Sequence, residues 1–353
     1  MRKTKNKKPS KLIYFIRSKR TKFGGAEVYL DRLSLALKEA EIQHEVVNSI
    51  FPNFLPSWLQ AILFNFQVLI TKKDKFYFSL DRITCPDIYR AGDGVHRVFL
   101  NVENKSILNP LHPTYFYLEK KCFISAKCII VNSLLIKNQI IDTYKIDESK
   151  IKLVRNGIKI EKLNYDIAFD RLSDEYSLIP GKKYILYVGS GFKRKGVKEF
   201  LNIVSKLEYE NVKAFVIGKD KNINDYVEIA KEFGIEDKVI FTGPRSDVNN
   251  FYTIADIFLF PTHYEPFSNV ILEAMSFKNV VFTTRQNGAS EILDTKFIMN
   301  SPDDFSVADK IDWLLSNTKE LKEIQGANRI ESKKFSIEEN LKQTLNIINE
   351  VIN

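Results

Sequence analysis

Cysteine is scarce in this chain: Cys85, Cys122 and Cys128 are the only three in 353 residues. An odd number without a C-x-x-C pair excludes a disulfide framework and a dithiol redox motif, so a reducing compartment is expected. Combining Cys122 and Cys128 with His96 and His112 as a zinc set would need a Cys-x5-Cys spacing foreign to such sites, and no metal is expected. Long hydrophobic runs are lacking too. The uncharged stretch 51–70 is broken by Pro52, Asn53, Pro56 and Asn65, whose polar groups hydrocarbon would leave unpaired. A buried or interfacial helix over about 56–70 is expected there instead of a membrane span. Behind the basic start only five apolar residues, 12–16, precede Arg17, too few for the core of an export signal. Residues 1–10 read as a basic disordered tail. No RNA-recognition, zinc-finger or helix-turn-helix signature accompanies the positive charge, so a nucleic-acid partner is not expected.

What the chain does have is enough apolar material, 44% of its residues, for two cores in two domains of ~150–200 residues each. Its net charge of +9 is unevenly spread: residues 1–170 hold 29 Lys+Arg against 17 Asp+Glu, leaving 24 against 27 for the remainder. A basic first half suits an anionic surface, and acidic lipid is the expected one. Within 96–123, Arg97, Lys105, Lys120 and Lys121 are interleaved with Phe99, Leu100, Leu108, Tyr115, Phe116 and Tyr117, a mixture fit for lipid headgroups. The blander reading is that these aromatics fill a core while the lysines are merely solvated.

Short β-rich runs alternate with helical spacings, which predicts doubly wound α/β layers. In the first half strands are expected at 12–16, 75–79, 88–91 and 127–132, with a helix over 26–40 carried by Tyr29, Leu30, Leu33 and Leu37. A second series begins near 183, with strands at 184–188, 214–217, 239–241, 257–260 and 279–283. Helices at 197–207, 224–233, 247–254 and 269–277 separate them, and helical stretches at 304–325 and 336–352 close the chain. The Asn156-Gly157 turn lies between the series, so the hinge is placed between 155 and 182.

In open α/β sheets ligands bind beyond the carboxyl ends of the strands, where helix starts attract anions. Three places qualify. Gly24-Gly25 would let backbone approach a phosphate closely, although a plain turn is the commoner explanation of such a pair. Gly189-Ser190-Gly191-Phe192-Lys193-Arg194-Lys195-Gly196 follows a strand and precedes a helix, and its three adjacent cations call for an anion or solvent; a diphosphate would serve. It is neither a Walker loop nor G-x-G-x-x-G. Third, Glu265 and Glu273 flank Phe267, Ser268, Asn269 and Val270 at a helix start. A carboxylate can accept two hydrogen bonds from a diol, so one glutamate suits a sugar and the other a ribose, with the helix start between them on phosphate.

Taken together, Glu265 to Glu273 resembles the E-x7-E motif of family 4 retaining glycosyltransferases, 188–197 is similar to their diphosphate loop, and Asn287-Gly288-Ala289-Ser290-Glu291 to a later glycine turn. With Asp87-Ile88-Tyr89-Arg90-Ala91-Gly92-Asp93, the closest likeness is to the lipopolysaccharide-core glucosyltransferases that act on inner-core heptose. The resemblance implies a GT-B fold, two Rossmann-like doubly wound domains with an interdomain cleft: 1–160 for the acceptor, 161–335 for the donor nucleotide, and a terminal helix, 336–353, able to pack back on the first. It implies a retaining hexosyl transfer from a nucleotide sugar, read as a UDP-sugar, to a lipopolysaccharide-core, lipid-linked or other cell-surface glycan. It further implies no metal or other cofactor, and a site on the inner face of the cytoplasmic membrane. By position Gly24 and Gly25 lie near the donor phosphate, Arg194 and Lys195 on the diphosphate, Glu265 on the sugar and Glu273 on the ribose. Ser190 stands where many members carry Arg, and Asp93 where many carry His. Asp93 is therefore the candidate at the reacting centre, with His96 as its rival. A GT-B-like partner protein without activity, and a sugar-nucleotide epimerase or phosphorylase, stay open beside this reading.

Overall fold

The computed structural model describes residues 12–19, 25–103, 106 and 108–352. The basic tail, Gly24 and Lys105 lie outside them. The chain divides into a first unit, 1–156 with 337–353, and a second, 157–336. The boundary falls inside the Asn156-Gly157 turn and again at 336/337, against the expected 160 and 335.

The first unit runs β1 (Ile13–Ile16), α1 (Gly25–Glu39), β2 (His44–Val47), α2 (Ser57–Thr71), β3 (Phe76–Ser79), β4 (Ile88–Arg90), α3 (His96–Val102), α4 (Leu111–Ser125), β5 (Cys128–Val131), α5 (Leu134–Tyr144) and β6 (Ile151–Leu153). Its six strands are parallel in the order β2-β1-β3-β4-β5-β6. Helices on both faces explain why β3 and β5 are apolar and buried throughout. The strands β2 and β6 have no counterpart in the sequence reading: each is three or four residues long, partly exposed, and too polar to stand out. Helix α2 buries only Phe64 and Val68, while Ile62, Phe66, Leu69 and Ile70 face outward.

The second unit runs α6 (Tyr165–Tyr176), β7 (Lys183–Val188), α7 (Phe192–Lys195), α8 (Val197–Ser205), β8 (Val212–Ile217), α9 (Ile223–Glu232), β9 (Val239–Gly243), α10 (Val248–Ile254), β10 (Ile257–Phe260), α11 (Asn269–Ser276), β11 (Val280–Thr284), β12 (Ile298–Met299), α12 (Val307–Ser316) and α13 (Thr318–Ser332). Its parallel sheet has the order β12-β11-β10-β7-β8-β9. The stretch expected as one helix over 304–325 is two, parted at Asn317. The chain then returns to the first unit as α14 (Ile337–Ile352). There Ile347 and Ile348 join Leu30, Leu33 and Leu37 in the core, and Asn340 Nδ2 donates to the Arg155 carbonyl at 2.6 Å. Among the described residues no helix is long and apolar enough to cross a membrane.

In both sheets the strand order reverses once, between β1 and β3 in the first unit and between β7 and β10 in the second. Such switch points open a crevice at the carboxyl edge, the usual seat of a ligand.

Candidate active site

The loop leaving β7 is pinned rather than open. Gly189 N–H donates to the Ile217 carbonyl (2.8 Å), Ser190 Oγ accepts the Lys219 N–H (3.0 Å), and Phe192 N–H donates to Asp220 Oδ2 (2.7 Å). Ser190 thus ties the loop to the end of β8, work that a longer cationic side chain would not do. Helix α7 is a single turn that buries Phe192 and turns its three cations away from the core. It closes on Gly196 at φ 77°, where a Cβ would sit 1.9 Å from the Pro261 carbonyl oxygen. Only glycine lets this turn press against the loop after β10.

That contact assembles the site. The Arg194 carbonyl accepts the His263 N–H (2.9 Å) and the Thr262 hydroxyl (3.2 Å). Arg194 Nη1 donates to Glu265 Oε1 at 2.7 Å and to the Tyr264 carbonyl at 2.6 Å, and Lys195 Nζ lies 3.3 Å from the same carboxylate oxygen. Glu265 is in turn fixed by its main chain, in a parallel bridge with Asn287 (N–H to Gln286 O, 3.1 Å; Gly288 N–H to its own carbonyl, 2.9 Å). Arg194, Lys195 and Glu265, taken from separate motifs, therefore stand at one point.

Beyond Glu265 the chain enters α11. Phe267 is 5% exposed and packs in the core, so what it can offer a ligand is its main chain. Ser268 is equally buried, and its N–H donates to Asn287 Oδ1 (3.3 Å). Asn269 and Val270 form the first turn, at the positive end of the helix dipole. Glu273, further along α11, accepts the Tyr252 hydroxyl at 3.2 Å. Burial and the neighbouring Glu273 charge push the Tyr252 pKa well above its usual value, which keeps it a donor.

Asn287, Tyr252 and Tyr187 are absent from the sequence-derived site. Asn287 is fully buried; its amide oxygen accepts both Ser268 N–H and Ala289 N–H (3.1 Å), and its nitrogen donates to Thr283 Oγ1 (3.2 Å), joining the starts of two elements. The Asn-Gly pair was the available signal. Tyr187 lies under Gly189 with a hydroxyl that has no hydrogen-bond partner among the described residues.

In the first unit Asp93 occupies an exposed turn between β4 and α3. His96 is turned inward: it is 9% exposed, its Nε2 lies 3.1 Å from His112 Nδ1, and its ring meets Tyr115 edge-on at 5.0 Å. Of the two rivals, only Asp93 presents its side chain to solvent. Gly25 opens α1. His263 pairs with Glu199 at 3.1 Å. Burial raises both the Cys122 and Cys128 thiols, the latter to about 11, which makes them inert apolar fillers. Among the described residues no group of three or more His, Cys, Asp or Glu is placed to hold a metal ion.

Residues 169–331 match the family described as Glycosyl transferases group 1. The capsular polysaccharide biosynthesis glycosyltransferase CapM of Staphylococcus aureus is 33% identical over 234 residues, 62% of this chain and 60% of that protein. The lipopolysaccharide glucosyltransferase WaaG of Escherichia coli K12 is 34% identical over 103 residues, 28% of this chain and 27% of its own. The chain spans less than two thirds of the length of these curated relatives, 60% for CapM and 27% for WaaG. Over the whole chain the likeness is one of fold. The crystal structure of WaaG superposes with a TM-score of 0.79 at 18% identity, covering 95% of this chain and 99% of that one. Anabaena HepE in complex with UDP-glucose gives 0.73 at 17%, covering 96% and 99%. The two parallel six-stranded sheets are those of the GT-B architecture.

Proposed function

Because residues 169–331 form a glycosyl transferases group 1 domain, we propose that the whole chain is a retaining glycosyltransferase that moves a hexose from a nucleotide sugar, a UDP-sugar, to a lipopolysaccharide-core, lipid-linked or other cell-surface glycan. The observation that carries this reading is the meeting of Arg194 and Lys195 with Glu265 at the β7–β10 switch point, beside the start of α11. A sugar diphosphate brings both kinds of group that such a site addresses. Its phosphates suit Arg194, Lys195 and the first turn of α11, and its sugar hydroxyls suit the Glu265 carboxylate. Glu273, held by Tyr252, is left for the ribose hydroxyls.

When the bond between the anomeric carbon and the diphosphate oxygen breaks, negative charge grows on the diphosphate. Fixed cations and helix N–H groups stabilise that charge without reorganising, the work a metal ion performs elsewhere. Activity that persists in EDTA is the expected outcome; loss on chelation with rescue by manganese would reject the metal-independent form. On the acceptor side Asp93 is the group assigned to the reacting centre. Anionic lipid on the inner face of the cytoplasmic membrane is the surface we assign to the first unit, on which the exposed face of α2 and the basic residues lie.

Calorimetry with UDP tests the donor site. Glu273→Ala should weaken UDP binding by about 1.5–3 kcal/mol, the cost of losing hydrogen bonds to a charged acceptor. An unchanged affinity would remove Glu273 from the ribose.

A further inference from the structure

Arg194 and Lys195 suit a diphosphate and Glu265 suits sugar hydroxyls, yet the structure also joins these groups to one another. Arg194 Nη1, at 2.7 Å, and Lys195 Nζ, at 3.3 Å, converge on one atom, Glu265 Oε1. Glu265 Oε2 makes no hydrogen bond among the described residues. The three side chains are only 26%, 17% and 13% exposed, so water screens their attraction in part. One carboxylate therefore neutralises half of the positive charge that the two cations could offer a diphosphate.

None of the three is free to move off. The Glu265 main chain is bonded on both sides, to the Gln286 carbonyl and from the Gly288 N–H. Arg194 Nη1 also donates to the Tyr264 carbonyl at 2.6 Å, and the Arg194 carbonyl holds His263 N–H and the Thr262 hydroxyl. Lys195 Nζ lies 5.6 Å from the centre of the Phe260 ring. The Tyr187 hydroxyl, buried below Gly189, gives the carboxylate no hydrogen bond. The carboxylate's charge is thus turned on the two cations.

This has opposite consequences for the two ligands of the site. UDP would place its negative charges on Arg194 and Lys195 with Glu265 directly behind them. At an effective dielectric constant of about 20, a like unit charge some 6 Å away is felt at roughly five RT. A UDP-sugar carries the same diphosphate but also brings hydroxyls, which Oε2 can accept. Each such bond engages the carboxylate and offsets the repulsion that UDP meets alone. Once the sugar has passed to the acceptor, its hydroxyls leave, and Glu265 again opposes the nucleotide.

We propose that Glu265 sets the discrimination between donor and product: its carboxylate loosens the hold of Arg194 and Lys195 on UDP, sugar hydroxyls relieve that effect, and loss of the sugar therefore promotes release of the nucleotide. The proposal rests on the UDP-sugar reading and adds to it a second role for the glutamate. Calorimetry on the full chain tests it, with UDP, UDP-glucose, UDP-galactose and UDP-N-acetylglucosamine. Glu265→Gln keeps the side chain's shape and the main-chain bridge while removing the charge. It should bind UDP at least about tenfold more tightly than the wild type, and the ratio of UDP-sugar to UDP affinity should fall by at least as much. Glu265→Ala serves as the second variant should the first melt below the wild type. Glu273→Gln removes one charge from α11 without touching the two cations, and it should bind UDP more weakly. Were Glu265 only a prop for Arg194, its loss would weaken UDP binding. That result overturns the proposal, as does an unchanged affinity, or a tightening that Glu273→Gln reproduces. A wild type that binds none of the four ligands refutes the UDP-sugar reading and the proposal with it; a wild type that binds them, beside a Glu265→Gln that holds UDP no better, sinks the proposal alone.

Discussion

At the residue scale, Gly196 and Gly191 offer a controlled comparison. Both have positive φ, 77° and 80°, but a Cβ on Gly196 would collide with the Pro261 carbonyl, whereas one on Gly191 would meet nothing within 4 Å. Gly191→Ala should therefore cost only the left-handed strain, about 1–2 kcal/mol. Gly196→Ala adds the collision and should cost more, because the loops bearing Arg194 and Glu265 must part. Urea unfolding measures both, and equal losses would mean that the close approach of the two loops has no energetic weight. The glycines, cations and glutamates of this site were legible in the sequence because each is an unusual residue for its place in a strand–turn–helix unit. Asn287 was not, because its three hydrogen bonds run to residues 4 and 19 positions away and across the main chain at Ala289.

At the scale of elements, most of the long strands and helices followed from periodicity, while β2, β6 and the helices α3 to α6 did not. The two strands are held by neighbours, and α6 buries only Ala168 and Leu172 along a polar sequence. What joins such elements is often one polar group, and Asp87 is an example. Its carboxylate takes Lys72 from the end of α2, Lys127 before β5 (3.1 Å) and the Tyr77 N–H of β3 (2.9 Å). Burial alone would raise the Asp87 pKa, yet the bonds from Lys72 and Tyr77 outweigh it, and the net shift is downward. A carboxyl with a depressed folded pKa contributes stability that is present above its unfolded value, about 3.9, and is lost as pH falls through the folded one. Asp87→Asn should thus cost about 1–3 kcal/mol at neutral pH. The gap to the wild type should then narrow from about pH 4 downward, where the wild-type carboxyl is itself being protonated. A gap that is the same in urea melts at both ends of that range would dismiss Asp87 as an ionic staple.

At the scale of the whole molecule, charge follows the division of the chain. The first unit, with its terminal helix, carries 28 Lys+Arg against 17 Asp+Glu, and the second 25 against 27. The aromatic run expected to meet lipid is split by the fold: Leu100 is buried, and Tyr115 and Phe116 pack around His96, while Leu108 and Tyr117 are exposed. A stronger apolar surface lies on α2, whose uncharged sequence leaves Ile62, Phe66, Leu69 and Ile70 outward within one arc of the helix. Two attractions toward an acidic bilayer then add: roughly 1 kcal/mol for each cation near the surface, and burial of the α2 face at about 25 cal/mol per Å². They separate by salt, because only the first is screened. Co-sedimentation with anionic vesicles should weaken as salt rises from ~50 to ~500 mM, with a residue of binding that Phe66→Ser combined with Ile70→Ser abolishes. If neutral vesicles bind the chain as well as anionic ones, the charge division has no part in docking. If the double variant sediments like the wild type at high salt, the face of α2 has none either, and the acceptor is met in solution.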